Sequence, residues 1–268
     1  MTNFELAIKI IKQGDKSLQE ALDKEIKILK KCRSENVVAY YGSVSRENDT
    51  WILMDYCGVG SVKDVMKVVM EALSETQCKY VLHHTLKGLV YMHAQGILHL
   101  DVKAANILLT ETGVVKLADF GVSQVLKSSE MTKGQDDYVG SPLFMAPEII
   151  KKLGYNSKAD IWSLGITIIE MMEIRPPNND IVNIEMLPQL AERPPPTFKN
   201  STGASPEFRA FLASLFVKDP VTRPSAIDLL TNPLMQNVTG SDCLTSMIYE
   251  CQSLQMSKRK KFTPSMLL

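Results

Sequence analysis

The fold is decided by the stretch His-Leu-Asp-Val-Lys-Ala-Ala-Asn-Ile-Leu-Leu, which occupies residues 99–109. Its apolar end predicts a short buried strand, and residues 115–118 (Val-Lys-Leu-Ala) predict a second strand that leads into an acidic residue. Two short strands joined by a tight turn bring the residues before the first strand close to those after the second. We therefore expect Asp101, Asn106 and Asp119 to meet at one end of the strand pair.

These three side chains suit a hard cation and a phosphate group. Mg²⁺ prefers carboxylate and amide oxygens, and substrate phosphates often supplement them. Asp101 is a potential proton acceptor, and Lys103 follows it two residues later. Because phosphoryl transfer depends mainly on positioning and charge neutralisation, the constellation indicates that chemistry.

Three signatures that occur in the same order in one known family support this interpretation. They are His99-Leu100-Asp101 with Asn106, then Asp119-Phe120-Gly121, then Ala146-Pro147-Glu148. On these motifs the chain resembles the eukaryotic protein kinases from Leu6 to about Pro233. Within that family it is similar to the germinal-centre and Hippo-type serine/threonine kinases, on residues 40–43, 55–58, 159–165 and 194–198.

The resemblance implies an α+β, bilobal fold in which a small β-rich N-lobe sits on a larger helical C-lobe. We expect a partial N-lobe at residues 1–57, the C-lobe at 58–236 and a C-terminal tail at 237–268. The sequence predicts N-lobe strands near residues 6–11, 37–43 and 50–56, and a helix over 62–72. No glycine precedes Lys9, so the N-lobe looks truncated and lacks the glycine-rich loop strands. That absence would leave residues 6–11 as an exposed edge strand.

A nucleotide site is expected between the lobes. Glu25 lies on the apolar stripe of the first helix, and an inward-facing acid needs a partner, for which Lys9 is the obvious candidate. The resemblance implies that this pair places the phosphates of ATP. It also implies that Ala7 and Leu108 enclose the adenine and that Met54 lies behind it. Residues 55–57 would form the hinge between the lobes, where the backbone of Asp55 and Cys57 would bind the adenine. The predicted nucleotide-binding residues are Lys9, Glu25, Ala7, Met54, Asp55, Cys57 and Leu108.

The resemblance also assigns the reaction. Asp101 would accept the proton of a substrate hydroxyl, Lys103 would steady the transferred phosphoryl group, and Asn106 with Asp119 would hold Mg²⁺. The implied cofactors are ATP and Mg²⁺. The implied partners are protein substrates, with upstream regulators or scaffold proteins as further possibilities.

Other matching residues would support the site or regulate it. The resemblance implies that Asp160 holds the catalytic loop, residues 99–106, and that Ser141 touches Asp101 and Lys103. It also implies an ion pair between Glu148 and Arg223. A stack of core side chains would consist of Leu29, Tyr40, His99 and Phe120. Two positions depart from the family: Leu100 replaces an arginine, and Asp137 replaces a phosphorylatable threonine.

Composition excludes several other classes. The formal net charge is zero, so no general affinity for nucleic acid or anionic membranes is expected. The five cysteines show no Cys-x-x-Cys spacing, which favours reduced thiols in a cytoplasmic protein. The N-terminus lacks a signal-peptide pattern, and the apolar run 161–172 is too short to cross a bilayer and predicts a core helix. The basic cluster at residues 258–261 is predicted to lie in a disordered tail.

Two alternatives remain at this point. The first is a catalytically weak or inactive kinase-like scaffold, because the glycine-rich loop is missing. Retention of every expected catalytic side chain favours the enzyme. The second is a nucleotide-binding oxidoreductase, which rests only on Gly58 and Gly60 and lacks the third glycine of that fingerprint.

Overall fold

A computed structural model describes residues 5–12, 16–47, 49–126, 138–181, 183–199 and 203–261. The first part of the chain builds a three-stranded antiparallel sheet with one helix. The elements are β1 (Leu6–Lys12), α1 (Lys16–Leu29), β2 (Tyr40–Arg46) and β3 (Asp49–Asp55). The strand order is β1-β3-β2, so β3 is central and β1 forms one edge of the sheet within the described chain. The predicted edge position of this strand is confirmed.

Alternation along the strands separates a core face from an outer face. Thr50 and Ile52 of β3 are buried, and Lys9 of β1 pairs directly with Ile52, so the lysine lies on the core face. The buried residues Leu22 and Leu29 of α1 belong to the same apolar cluster as Ile52. The register of β1 therefore aims Lys9 at the helix that carries Glu25.

Small sheets connect this lobe to the catalytic loop. β4 (Gly60–Ser61), β6 (Ile107–Leu109) and β7 (Val115–Leu117) form a sheet of order β4-β6-β7, and β5 (Ile97–Leu98) pairs with β8 (Gln124–Val125). The turn between β6 and β7 makes them an antiparallel pair. The strand-loop-strand unit predicted from residues 99–119 is therefore present.

The remainder is helical. Its helices are α2 (Val62–Val69), α3 (Glu75–Ala94), α4 (Pro147–Ile150), α5 (Lys158–Glu173), α6 (Leu187–Glu192), α7 (Pro206–Leu215), α8 (Ala226–Leu230) and α9 (Asp242–Lys261). The helix α5 is buried from Ala159 to Met172, as its nearly continuous apolar sequence predicts. No helix in the described ranges is long and apolar enough to cross a membrane. The α+β architecture of a small sheet-containing lobe and a larger helical lobe is confirmed.

Three local predictions are wrong. β2 begins at Tyr40, because Val37 forms an isolated parallel bridge with Leu117 and does not extend the strand. α2 ends at Val69, because Met70 takes a left-handed conformation with φ of 64°. The basic cluster is not in a disordered tail, because the backbone remains helical to Lys261.

The C-terminal helix packs on the helical lobe through its apolar side. Leu244, Met247, Ile248 and Cys251 of α9 are buried, and α9 lies against α2 and α3. These four residues follow the i, i+3, i+4, i+7 spacing of one helix face. The boundary proposed at residue 237 stays a prediction, although residues 242–261 pack directly on the C-lobe.

Candidate active site

The lysine of β1 forms two ionic contacts. Lys9 Nζ lies 2.7 Å from Glu25 Oε1 and 3.2 Å from Asp119 Oδ1. Burial opposes the charge on Lys9, but the hydrogen bond and attraction of Glu25, followed by those of Asp119, raise its pKa above the usual value. The lysine is therefore held as a cation between the two lobes, where it can attract an anion.

A cleft of about 340 Å³ surrounds this lysine, a volume within the range of small-molecule sites. Seven predicted site residues line it: Ala7, Lys9, Glu25, Met54, Asn106, Leu108 and Asp119. The side chains of Asp55 and Cys57 are not part of the described lining, and Cys57 borders a separate groove with Gly58 and Gly60. The role predicted for residues 55 and 57 involves their backbone, so it stays a prediction.

The catalytic-loop candidates form a compact hydrogen-bonded group beside the cleft. Lys103 Nζ lies 2.7 Å from Asp101 Oδ2 and donates to Ser141 Oγ at 2.7 Å. The amide nitrogen of Ser141 donates to Asp101 Oδ1 at 3.0 Å. Asn106 Nδ2 donates to both the carbonyl and Oδ2 of Asp101, each at 2.8 Å. The expected contact of Ser141 with Asp101 and Lys103 is therefore present.

These contacts set the charge of the central carboxylate. Burial alone would raise the pKa of Asp101, but the hydrogen bonds from Lys103, Ser141 and Asn106 and the attraction of Lys103 hold it below the usual value. Asp101 is consequently ionised at neutral pH. An ionised carboxylate is chemically able to accept a proton from a hydroxyl group.

A glycine fixes the position of Ser141. Gly140 has φ of +97°, and a Cβ built at this residue would lie 2.2 Å from the carbonyl oxygen of Leu100. Any side chain would therefore separate the two segments. Close backbone approach at Gly140 brings Ser141 to the aspartate and the lysine of the catalytic loop.

The loop rests on a buried carboxylate of α5. Asp160 accepts hydrogen bonds from the backbone amides of His99 at 2.9 Å and Leu100 at 2.7 Å, and it contacts His93 Nε2 at 2.7 Å. Burial opposes its charge, but these partners hold the pKa of Asp160 below its usual value. The predicted support of the loop by Asp160 is present in the structure.

A second carboxylate of the same helix was not found by sequence reasoning. Glu170 Oε2 accepts the amide hydrogen of Ala104 at 2.9 Å, and its other oxygen lies 3.7 Å from Lys63 Nζ. Burial raises the pKa of Glu170, against the opposing effects of Ala104 and Lys63. The available signal was a glutamate within the apolar run 161–172, because a buried acid in such a helix needs a specific partner.

The remaining support residues are distributed through the core. Arg223 forms two hydrogen bonds with Glu148, at 2.7 and 2.9 Å. The rings of His99 and Phe120 have centroids 5.5 Å apart. Leu29, His99 and Phe120 are buried, and Tyr40 is partly buried against the same core. Asp137 lies outside the described residues.

The donor set of the cleft fits Mg²⁺. Asp119 supplies a half-exposed carboxylate and Asn106 an amide oxygen, and both line the cleft. No cluster of three or more His, Cys, Asp or Glu side chains suited to a metal occurs in the part of the chain that the structure describes. One carboxylate with an amide is nevertheless typical of Mg²⁺ sites that substrate phosphates complete.

Comparison with known proteins agrees with this geometry. Residues 1–235 match the family described as protein kinase domain. The serine/threonine-protein kinase pakE of Dictyostelium discoideum is 49% identical over 258 residues, covering 96% of this chain and 27% of pakE. The serine/threonine-protein kinase cst-1 of Caenorhabditis elegans is 45% identical over 247 residues, covering 92% of this chain and 49% of cst-1.

The chain therefore belongs to the protein kinase domain family, and the resemblance expected from its motifs is confirmed. It spans less than half the length of either relative.

Proposed function

We propose that this chain is the catalytic domain of a protein serine/threonine kinase, which transfers the γ-phosphoryl group of ATP to serine or threonine hydroxyls of protein substrates. The observation that carries the proposal is the joint placement of two groups of charges. Lys9, Glu25 and Asp119 meet in the cleft, and the hydrogen-bonded group around Asp101 adjoins it through Asn106.

In this proposal each charged group has one task. Asp101 accepts the proton of the substrate hydroxyl, and Lys103, held by Ser141, contacts the transferred phosphoryl group. Lys9 binds the phosphates of the nucleotide while Glu25 keeps it oriented. When bound, ATP supplies the phosphoryl group, and Mg²⁺ neutralises the charge that develops on it. Asn106 and Asp119 would hold the metal.

The setting of the reaction is part of the same proposal. Protein substrates and ATP are the partners, in a signalling cascade with upstream regulators or scaffold proteins. All five cysteines have free thiols, which supports action in the reducing cytoplasm.

Two substitutions test the assignment because they separate the base from the metal site. Asp101→Asn should lower turnover by about 100-fold or more and leave the Kd of Mg·ATP nearly unchanged, because it removes the proton acceptor. Asp119→Asn should abolish transfer and also weaken Mg·ATP binding, because it removes a carboxylate from the metal site.

The control is Asp180→Asn, the same chemical change at an exposed carboxylate paired with Arg193. Transfer is measured on a mixture of serine, threonine and tyrosine peptides, and nucleotide binding by calorimetry. Turnover of Asp101→Asn equal to that of the Asp180→Asn control would show that the catalytic loop has been assigned wrongly.

A further inference from the structure

The acidic side chain at the hinge is bound on several sides. Asp55 ends β3, and its Oδ2 accepts the amide hydrogen of Ala39 at 2.9 Å. Its Oδ1 accepts the hydroxyl hydrogen of Tyr41 at 2.8 Å. Lys116 Nζ lies 3.0 Å from Asp55 Oδ2. Ala39 and Tyr41 belong to the N-lobe, whereas Lys116 lies in β7, so the Asp55 carboxylate joins the two lobes.

Lys116 has a second attachment on the N-lobe side. Its Nζ donates to the carbonyl oxygen of Glu35 at 2.9 Å, in the connection between α1 and β2. The same connection is hydrogen-bonded to β7, because Leu117 N donates to Asn36 O and Val38 N to Leu117 O, both at 2.9 Å. Lys116 therefore links three segments: the hinge, the connection that follows α1, and β7.

Burial makes the ion pair energetically significant. The side chains of Asp55 and Lys116 are each only 14% exposed. Burial would raise the pKa of Asp55, but the hydrogen bonds from Ala39, Lys116 and Tyr41 hold it below the usual value. The carboxylate is thus ionised and shielded from solvent, and removal of one partner leaves the other charge poorly compensated.

The cleft itself contains a weaker contact between the lobes. Lys9 of β1 reaches Asp119 across the cleft at 3.2 Å, but both side chains are substantially exposed. A nucleotide with its metal would compete for both groups, because phosphate attracts Lys9 and the cation attracts Asp119. The side chains of Asp55 and Lys116 are not part of the described lining of the cleft, so their ion pair does not compete with the ligand.

We propose that Asp55 and Lys116 act as a pair of positioning residues that fix the angle between the lobes and thereby set the affinity for nucleotide. The pair is formed in the arrangement in which Lys9 contacts both Glu25 and Asp119, so it stabilises the assembled cleft. The inference rests on the proposed function, since a nucleotide is the ligand whose affinity it sets.

The test is a double-mutant cycle with Lys116→Met and Asp55→Asn. Each single variant should raise the Kd of Mg·ATP about five- to tenfold, as expected for a shielded charged contact. The Kd of the double variant should be no higher than that of the single variant with the higher Kd, because the two residues act as one unit. Turnover at saturating ATP should be unchanged in Lys116→Met, so that the effect appears in KM and not in kcat.

The matched control is Lys79→Met. Lys79 pairs with Glu75 at 3.3 Å, and both side chains are largely shielded, but the pair lies within α3 and spans no lobes. Urea unfolding measures the loss of stability in Lys79→Met and Lys116→Met, and nucleotide binding is compared under conditions in which both variants are fully folded. Only Lys116→Met should lose nucleotide affinity, which separates positioning from general destabilisation.

Hydrogen exchange in the nucleotide-free protein gives an independent readout. The amide of Val38, which donates to Leu117, should exchange several-fold faster in Lys116→Met than in the wild type. Unchanged exchange in that variant would overturn the proposal, as would additive effects of the two substitutions on Kd. If the wild type bound no Mg·ATP, the proposed function would fail, and exchange at Val38 would still decide whether the pair holds the lobes together.

Discussion

The two lobes use the same contact, an ion pair, in opposite surroundings. In the helical lobe, Glu148 and Arg223 are 3% and 0% exposed, and the guanidinium donates twice to the carboxylate. In the N-lobe, Glu25 is 8% exposed but its partner Lys9 is 36% exposed. The first pair is closed to any ligand, whereas the second leaves its cation accessible in the cleft. The exposure of the cation therefore distinguishes the two kinds of ion pair: a buried cation only stabilises the fold, whereas an exposed one can also bind a ligand.

The surroundings differ in the same way. The helix α5 is buried along almost its whole length and supports the catalytic loop through Asp160 and Glu170. The edge strand β1 instead exposes Ile8 and Ile10 on the outer face of its sheet. The residues that hold the catalytic loop are therefore buried in the helical lobe, whereas the edge strand of the N-lobe sheet exposes apolar residues to solvent.

The largest effect is expected from Arg223→Leu. This change leaves Glu148 buried without its cation, and breaking such a pair typically costs about 3–5 kcal/mol of unfolding free energy. Urea denaturation followed by tryptophan fluorescence measures it, with Arg193→Leu as a control that breaks an exposed pair with Asp180. Equal stability of the two variants would contradict the contrast between buried and accessible pairs.

Lys9→Met should have a small effect on stability and a large effect on phosphate transfer. Removal of the lysine leaves Glu25 without its cation, but the site is open to water, so stability should fall by about 1–2 kcal/mol, less than in Arg223→Leu. Phosphate transfer should nevertheless fall by about 100-fold or more, because misplaced phosphates lose their alignment. Parallel measurement of urea midpoints and peptide phosphorylation tests this. A stability loss as large as that of Arg223→Leu would place Lys9 among the structural residues.

Sequence reasoning succeeded where signals were local. The unit from His99 to Asp119 has its strands, its loop and its polar residues close together in the chain, so their meeting point followed from strand geometry alone. The inward position of Glu25 followed from helical periodicity. The resemblance then identified residues such as Asp160 and Arg223, whose partners are far away in the sequence.

Sequence reasoning failed where a contact had no local signal. Asp55 and Lys116 are both ordinary charged residues at strand ends or in short strands, and spacing cannot show that they face each other. For Glu170, its position within the apolar run 161–172 indicates burial, but spacing cannot identify its partner, which is a backbone amide. The helix α9 was missed for another reason: its buried residues Leu244, Met247, Ile248 and Cys251 do follow helical spacing, but the basic cluster at residues 258–261 favoured a disordered tail.

A smaller effect is expected at the edge of the N-lobe sheet. Ile10→Lys places a charge at a residue that is 56% exposed on β1, so stability should change by no more than about 0.5 kcal/mol. Self-association should fall, because a charged edge strand resists pairing with other chains. Light scattering at increasing protein concentration measures self-association. The control is Ile52→Val, a change on the buried face of the sheet. Unaltered association would show that β1 does not contribute to self-association.

The smallest effect is expected from phosphatase treatment, which should leave activity nearly unchanged. In related kinases an arginine before the catalytic aspartate binds a phosphorylated residue and orders the activation loop. Leu100 occupies that position here, is buried and has no group that binds a phosphate. The end of the activation loop is already attached to the catalytic loop without a phosphate. Ser141 is hydrogen-bonded to Asp101 and Lys103, and Gly140 packs on the carbonyl of Leu100.

Asp137, at the position of the family's phosphorylated threonine, carries about one charge where a phosphate carries closer to two. It therefore supplies a permanent but weaker charge that no phosphatase removes. Peptide phosphorylation is compared before and after treatment, with mass spectrometry to confirm that phosphate has been removed. A large loss of activity that returns on phosphorylation of Ser128, Ser129, Thr132 or Tyr138 would show that the loop depends on a phosphate. Retained activity would instead mean that the site is ordered without a phosphate, by the contacts of Ser141 with Asp101 and Lys103 and by the charge of Asp137.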